Sequence, residues 1–376
     1  MSSGAGEVVA SPPSSPPATT AARPNGVWRR MLPKLVLSLV LGAAFVWLAQ
    51  RGGVPLVPRA ESMAKVAWWA VPAYLATLVV THFLRGSRWR FLIAPYQTVT
   101  IKESILLNWI GFFAIFALPL RLGELARPAL SRIRIGTRLS VGLGTVAVER
   151  VLDGLVTSLC LVVALFAIPR RVPVDYLSRT LPYYGYLALA VFCAAMVAIG
   201  AFLWKRNLAR RLTERVFGIV SPRIGKRLAS TVDGIAEGVR SVKDPRLALP
   251  FVLETLGYWG TNAFGMWVLA QGCGLDLTFP HAVAVMGVLA IGILLPAGPG
   301  MFGSFQTFVA AGLRLYVADS VVGDRGAAYI FLLYVCQSLF ITAAGLVPLL
   351  ALKLSIRDIL SPPAEPPTTE PPPRPS

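Results

Sequence analysis

The stretch PLRLGELARPAL, Pro119–Leu130, decides how this chain is laid out. It closes the apolar run SILLNWIGFFAIFAL (Ser104–Leu118) and puts Arg121, Glu124 and Arg127 where a membrane helix should simply end. That run is short, since a crossing needs roughly 20 apolar residues. Basic segments flank it on both sides, with Arg85, Arg88, Arg90 and Lys102 before it and Arg121, Arg127, Arg132, Arg134 and Arg138 after it. Cytoplasmic loops collect Lys and Arg, so a full crossing would leave one basic segment on the wrong side. A re-entrant hairpin removes the conflict. The chain enters from the cytoplasm, turns near Ala117-Leu118-Pro119 and returns through the quoted stretch. Non-helical backbone at that depth is tolerated only where protein or a watery cavity surrounds it.

The same pattern extends outward. The 376 residues are 55% apolar with mean hydropathy +0.64, above the usual 45–50% of soluble domains. Apolar runs fall at about 35–49, 66–84, 104–118, 139–168, 183–204, 248–272, 281–295, 303–318 and 328–352. A second break, LLPAGPGMFGSFQ at 294–306, holds Pro296, Gly298, Pro299, Gly300 and Gly303, which no unbroken helix accommodates without cost. The expected fold class is therefore all-α. It is a polytopic membrane bundle of about six full spans and two re-entrant hairpins, with both termini cytoplasmic. Each half, about 35–168 and 183–352, runs span, span, hairpin, span. An odd number of crossings per half makes the second inverted, an arrangement used by transporters. Residues 1–33 and 355–376 are expected to be cytoplasmic tails, the first disordered and the second Pro-rich, around a membrane domain at 34–354. The 205–247 segment, with eleven Lys and Arg, is expected to be a cytoplasmic loop carrying amphipathic helix.

The net charge of +18 is distributed over the loops, so it marks membrane orientation rather than a nucleic-acid surface. Cys160, Cys193, Cys273 and Cys336 form no CxxC pair, and His82 and His281 stand alone, so no metal centre or cofactor is expected. His82, Arg85, Arg88 and Arg90 are expected to mark the cytoplasmic end of a span, in contact with head groups. Trp68, Trp69, Trp89, Trp109 and Trp204 lie near span ends and fit an aromatic belt.

Chemistry concentrates in two places. Glu149 and Asp153 stand four residues apart on one face of the 139–168 helix, near its middle, with Arg150 between them. A charge at the centre of a membrane helix costs about 2.5–3.5 kcal/mol, so these carboxylates need partners. The hairpin offers Arg121 and Arg127 with Glu124 between them, and the six charges sum to zero. Three readings of that network stay open: a staple holding hairpin to helix, a set of arginines that exchange a carboxylate for a ligand phosphate, and proton or cation coupling through the carboxylates. Pro119 and Gly123 in the first break, and Gly298, Pro299, Gly300 and Gly303 in the second, are candidate hinge or cavity positions. Gln306 adds a neutral polar group there.

Three segments together resemble a known family. Arg121-Leu122-Gly123-Glu124-x-x-Arg127-Pro128, Val148-Glu149-Arg150-Val151-Leu152-Asp153 and Pro299-Gly300-Met301-Phe302-Gly303-Ser304-Phe305-Gln306 look like the flippase-like family named for the transmembrane region of lysylphosphatidylglycerol synthase. The third segment departs from it, with Gln306 where the family often carries Glu. The resemblance covers about 35–352. It implies a multi-pass cytoplasmic-membrane protein that moves or presents lipids such as aminoacylated phospholipid, polyprenyl-linked sugar or hopanoid. The synthase's soluble aminoacyl-transfer domain finds no room in a short Pro-rich tail, so its activity is not expected here. The resulting expectation is a lipid flippase or transporter-like protein, not an enzyme, whose partners are anionic or polyprenyl-linked lipids and a possible lipid-modifying enzyme. Arg121, Arg127 and Arg150 would contact the head, and Glu124, Glu149 and Asp153 would hold them when the site is empty. The rival is a head-group transferase with Glu149 or Asp153 as general base.

Overall fold

A computed structural model describes residues 25–167, 176–204, 234 and 236–354. The tail residues 1–24 and 355–376, residues 168–175 and nearly all of the basic segment up to 235 lie outside the described residues. Among the described residues all regular structure is helical. The elements are α1 (Asn25–Arg51), α2 (Ala60–Ala64), α3 (Ala70–Ser87), α4 (Trp89–Ile93), α5 (Ile101–Ala117), α6 (Ala126–Ile135), α7 (Leu139–Ala167) and α8 (Tyr176–Trp204). They continue with α9 (Pro245–Gly272), α10 (Phe279–Gly292), α11 (Ser304–Leu313), α12 (Asp319–Val321) and α13 (Ala327–Ala351). The first helix begins at Asn25, inside the segment expected to be a tail. Among the described residues three stretches, Leu32–Arg51, Tyr183–Ala201 and Asp319–Ala351, are long and apolar enough to cross a membrane. Their outward side chains are apolar, as at Val40, Val197 and Leu350.

The expected break at Pro119 separates two helices that fold back on one another. Thr100 starts α5 with a capping box, its Oγ1 accepting from the Glu103 amide at 3.2 Å. The helix stops at Leu118, which is extended because a residue before proline avoids the α region. Leu120 and Arg121 then take left-handed backbone (φ 52° and 58°), and a 3₁₀ turn over Pro119–Leu125 leads into α6. Gly123 rests directly on the Ala114–Ile115 backbone, and Gly111 lies beside Arg127, so α5 and α6 run antiparallel in contact.

The second break has the same form. The α10 helix ends at Gly292, and α11 restarts at Ser304 after a 3₁₀ turn, Pro299–Met301. Gly300 and Gly303 have φ of 70° and 85°, values that glycine adopts freely. Gly292 meets Phe308 and Gly312 meets Val285, which again makes an antiparallel hairpin. The α1 helix crosses its tip: Ser38 Oγ donates to the Ala297 carbonyl at 2.9 Å, and Gly42 and Gly298 touch backbone to backbone.

Helices α3 and α9 pack antiparallel, with Gly265 on Thr77 and Gly272 on Ala70. The second hairpin leans on α7 through α10, and the first leans on α13 through α5. Along α3–α4, α7 and α9 the apolar core is interrupted at the same level. One cluster holds Tyr74 and Leu78, Leu161 and Ala164, and Ala263 and Met266. A second holds Trp89 and Leu92, Val141 and Val148, and Phe251. Between them lies a polar layer containing His82 and Arg88, Glu149 and Asp153, and Thr255.

Candidate functional site

The polar layer is built around Arg88, which sits where α3 bends into α4 and is fully buried. Its guanidinium grips Asp153 with two parallel bonds, Nη1–Oδ1 at 2.7 Å and Nη2–Oδ2 at 2.9 Å, the fork geometry that suits arginine to a carboxylate. Nη1 also donates to Thr255 Oγ1 at 2.8 Å, Nε lies 3.7 Å from Glu149, and the group stacks on the Tyr258 ring at 4.5 Å. Asp153 further accepts from Tyr258 OH at 2.8 Å and Trp259 Nε1 at 3.3 Å. Glu149 pairs with Arg127, whose Nη1 donates to Asn108 Oδ1 at 2.5 Å. Asn108 in turn donates to the Ser104 carbonyl at 2.8 Å. The chain Asn108–Arg127–Glu149–Arg88–Asp153 is therefore buried and ties the first hairpin to α7, α3 and α9.

A second, half-buried tier faces a cavity. Arg121 Nη2 donates to Glu124 at 2.8 Å, and Arg150 reaches Glu124 at 3.7 Å and Asp153 at 3.8 Å. The other Arg121 nitrogen, Nη1, donates to the Ile293 carbonyl at 2.7 Å. Ile293 caps the C-terminus of α10, so this one side chain joins the two hairpin tips, and its positive charge suits a helix C-terminus. All six expected charges thus meet in a single network.

The cavity, about 140 Å³, opens between both hairpins and α3, α7, α9 and α13. Arg85, Arg121, Arg150 and Asp153 line it, with Gln337 and Ser338 on the α13 side. Gly300 and Met301 form part of the wall, and the Gly300 carbonyl accepts from Tyr334 OH at 3.0 Å.

Several expectations are corrected. His82 and Arg88 are buried in the polar layer, not placed against head groups, because the helix does not end at Leu84: apolar Trp89, Leu92 and Ile93 continue it. That resumption after Arg88 was the available sequence signal. Trp89 is buried as well, its Nε1 donating to Thr145 at 3.1 Å, and belongs to no belt. Gln306 is not among the residues lining this cavity; its Oε1 accepts from the Gly303 amide at 2.7 Å at the start of α11. Arg90 pairs with Glu254 at 3.0 Å, a separate neutral couple. The neutral count also changes. Arg85 and Arg88 join Arg121, Arg127 and Arg150, so among the described residues five arginines share the layer with Glu124, Glu149 and Asp153, an excess of two positive charges.

The family described as the lysylphosphatidylglycerol synthase transmembrane region matches residues 35–345, nearly the whole helical bundle. The chain belongs to that family. Neither a curated protein nor a solved structure matches it.

Proposed function

We propose that this member of the lysylphosphatidylglycerol synthase transmembrane-region family moves the anionic head of a lipid across the cytoplasmic membrane, between its two hairpins. The observation that carries this is the cavity where both hairpin tips meet, in a layer with two more arginines than carboxylates. An uncompensated cation in an apolar bundle is unfavourable, and an entering phosphate supplies what the layer lacks. The acyl chains stay in the bilayer, so only the head needs a polar path.

The hairpins would be re-entrant. At ~1.5 Å per residue, α5, α10, α6 and α11 reach about 26, 21, 15 and 15 Å, short of a hydrocarbon core about 30 Å thick. About six full spans would complete the bundle, with both termini and the basic loop cytoplasmic by the positive-inside rule. The pairing of α3 with α9, of α7 with the second hairpin and of α13 with the first supports a two-fold relation between the halves, which we read as inverted. Arg121 would couple the head to movement. A phosphate competing for its donors frees the Ile293 carbonyl and Glu124 together, and so loosens the link between the tips. No bond-breaking step is included. Glu149 and Asp153, the candidate bases, are each engaged by arginine.

The test is reconstitution of the full chain in proteoliposomes that carry a fluorescent anionic lipid, with quencher added outside. Protein-dependent loss of the inner-leaflet signal, abolished by Arg150→Gln in protein that still elutes as a folded species, is expected. A rate equal to that of protein-free vesicles sinks the proposal, and turnover of the head group would reassign the chain to an enzyme.

A further inference from the structure

Arg85 is the cavity cation that no motif predicts. Its guanidinium lies over the Phe112 ring at 3.9 Å and near Tyr258 at 5.9 Å. It makes no ion pair among the described residues, and its covered Nε has no hydrogen-bond partner. It lies within electrostatic range of Arg150, Arg88 and Asp153, yet Asp153 is already engaged by Arg88 in both oxygens. Also in the lining, Arg121 and Arg150 both pair with Glu124, and Arg150 shares Asp153 with Arg88. Two unmatched positive charges therefore border the same space, one at Arg85 and one across the Arg121–Glu124–Arg150 tier.

Resting on the proposed function, we infer that the head group taken here carries two negative charges, as a terminal phosphomonoester or a diphosphate does, and that Arg85 reads the second charge. A phosphodiester, with one charge, neutralises the Arg121–Arg150 side and leaves Arg85 bare. A zwitterionic or aminoacylated head brings an ammonium into a lining of three arginines whose one carboxylate, Asp153, is already held by Arg88. The aromatic stack lets Arg85 wait without a counter-ion, because the faces of Phe112 and Tyr258 offset part of its charge. An arginine bonded to a charged oxygen contributes ~10- to 100-fold in affinity.

The experiment titrates the detergent-solubilised full chain at pH 8 with three lipids sharing one pair of short acyl chains: phosphatidic acid, phosphatidylmethanol and phosphatidylcholine. At that pH the phosphomonoester carries more than one negative charge and the phosphodiester one. Phosphatidic acid is expected to bind at least ~10-fold tighter than phosphatidylmethanol. Arg85→Gln should bring that ratio to about 1, Arg85→Lys should keep part of it, and Arg138→Gln, on the surface pair with Glu237, should leave it unchanged. Should Arg85→Gln not fold, Arg85→Lys and Phe112→Leu, which disturb the stack, carry the same comparison. Equal affinity for the two anionic lipids overturns the two-charge inference while the anionic-lipid proposal stands. No preference of either over phosphatidylcholine removes that proposal as well. Displacement of phosphatidic acid by inorganic phosphate at the concentration that saturates with the lipid would assign the site to a soluble anion and overturn the lipid source.

Discussion

Replacing Arg88 with Met is the sharpest perturbation of the polar layer. Arg88 gives Asp153 two charged bonds, gives Thr255 a third, and stands 3.7 Å from Glu149, all out of solvent. Its loss leaves Asp153 with Tyr258, Trp259 and, at 3.8 Å, Arg150. Breaking a buried pair by removing one partner destabilises by about 3–5 kcal/mol, and the remaining donors place this site toward the lower end. At ~2 °C per kcal/mol for a large domain, the midpoint should fall by ~6 °C or more. The decisive arm is Arg88→Met with Asp153→Leu. Glu149 keeps Arg127, so the double variant buries no stranded carboxylate and should recover most of the loss. Thermal unfolding of the purified protein in detergent, followed by size-exclusion chromatography, reads both. An unchanged midpoint in Arg88→Met, or a double variant no better than the single, would refute the buried-pair reasoning.

Three further outcomes are expected. Gly123→Ala should prevent the first hairpin from closing, since a Cβ would meet the Ala114 and Ile115 backbone at 2.1 Å; Gly136→Ala, at φ 69° with open space around it, should cost only about 1–2 kcal/mol, and recovery of monodisperse protein separates the two. Gln306→Ala should lower stability by ~1 kcal/mol through loss of the α11 cap, and Gln306→Glu should keep the cap; a loss of lipid movement at unchanged melting temperature would instead give Gln306 a transport role. Arg121→Gln should speed amide hydrogen exchange around residues 293–303 while the midpoint falls only slightly, because Glu124 keeps Arg150; unchanged exchange there would remove Arg121 as the link between the hairpins.

Much of the framework is legible in the residue order. Apolar runs locate the long helices, because hydrocarbon-facing surface must be apolar wherever it ends up. Pro119 and the Pro296–Gly303 segment locate the breaks, because proline and glycine act on their own backbone. The family follows from three motifs that sit on those breaks and on α7. The six charges of the hairpin and α7 are likewise legible, since short sequence separation fixes which face they share.

The tertiary structure alone decides how those charges balance. Arg88 reads as the end of a span until packing brings α7 and α9 around it, with Asp153 and Thr255 lying 65 and 167 residues away. Gln306 reads as a cavity group until Gly303 turns its amide onto it. Neutrality in a buried layer belongs to all the side chains that share a space, and Coulomb attraction takes no account of chain order. For this protein the local rules therefore determine the helices and their breaks, while only the packing of distant helices determines that two positive charges are left facing the cavity.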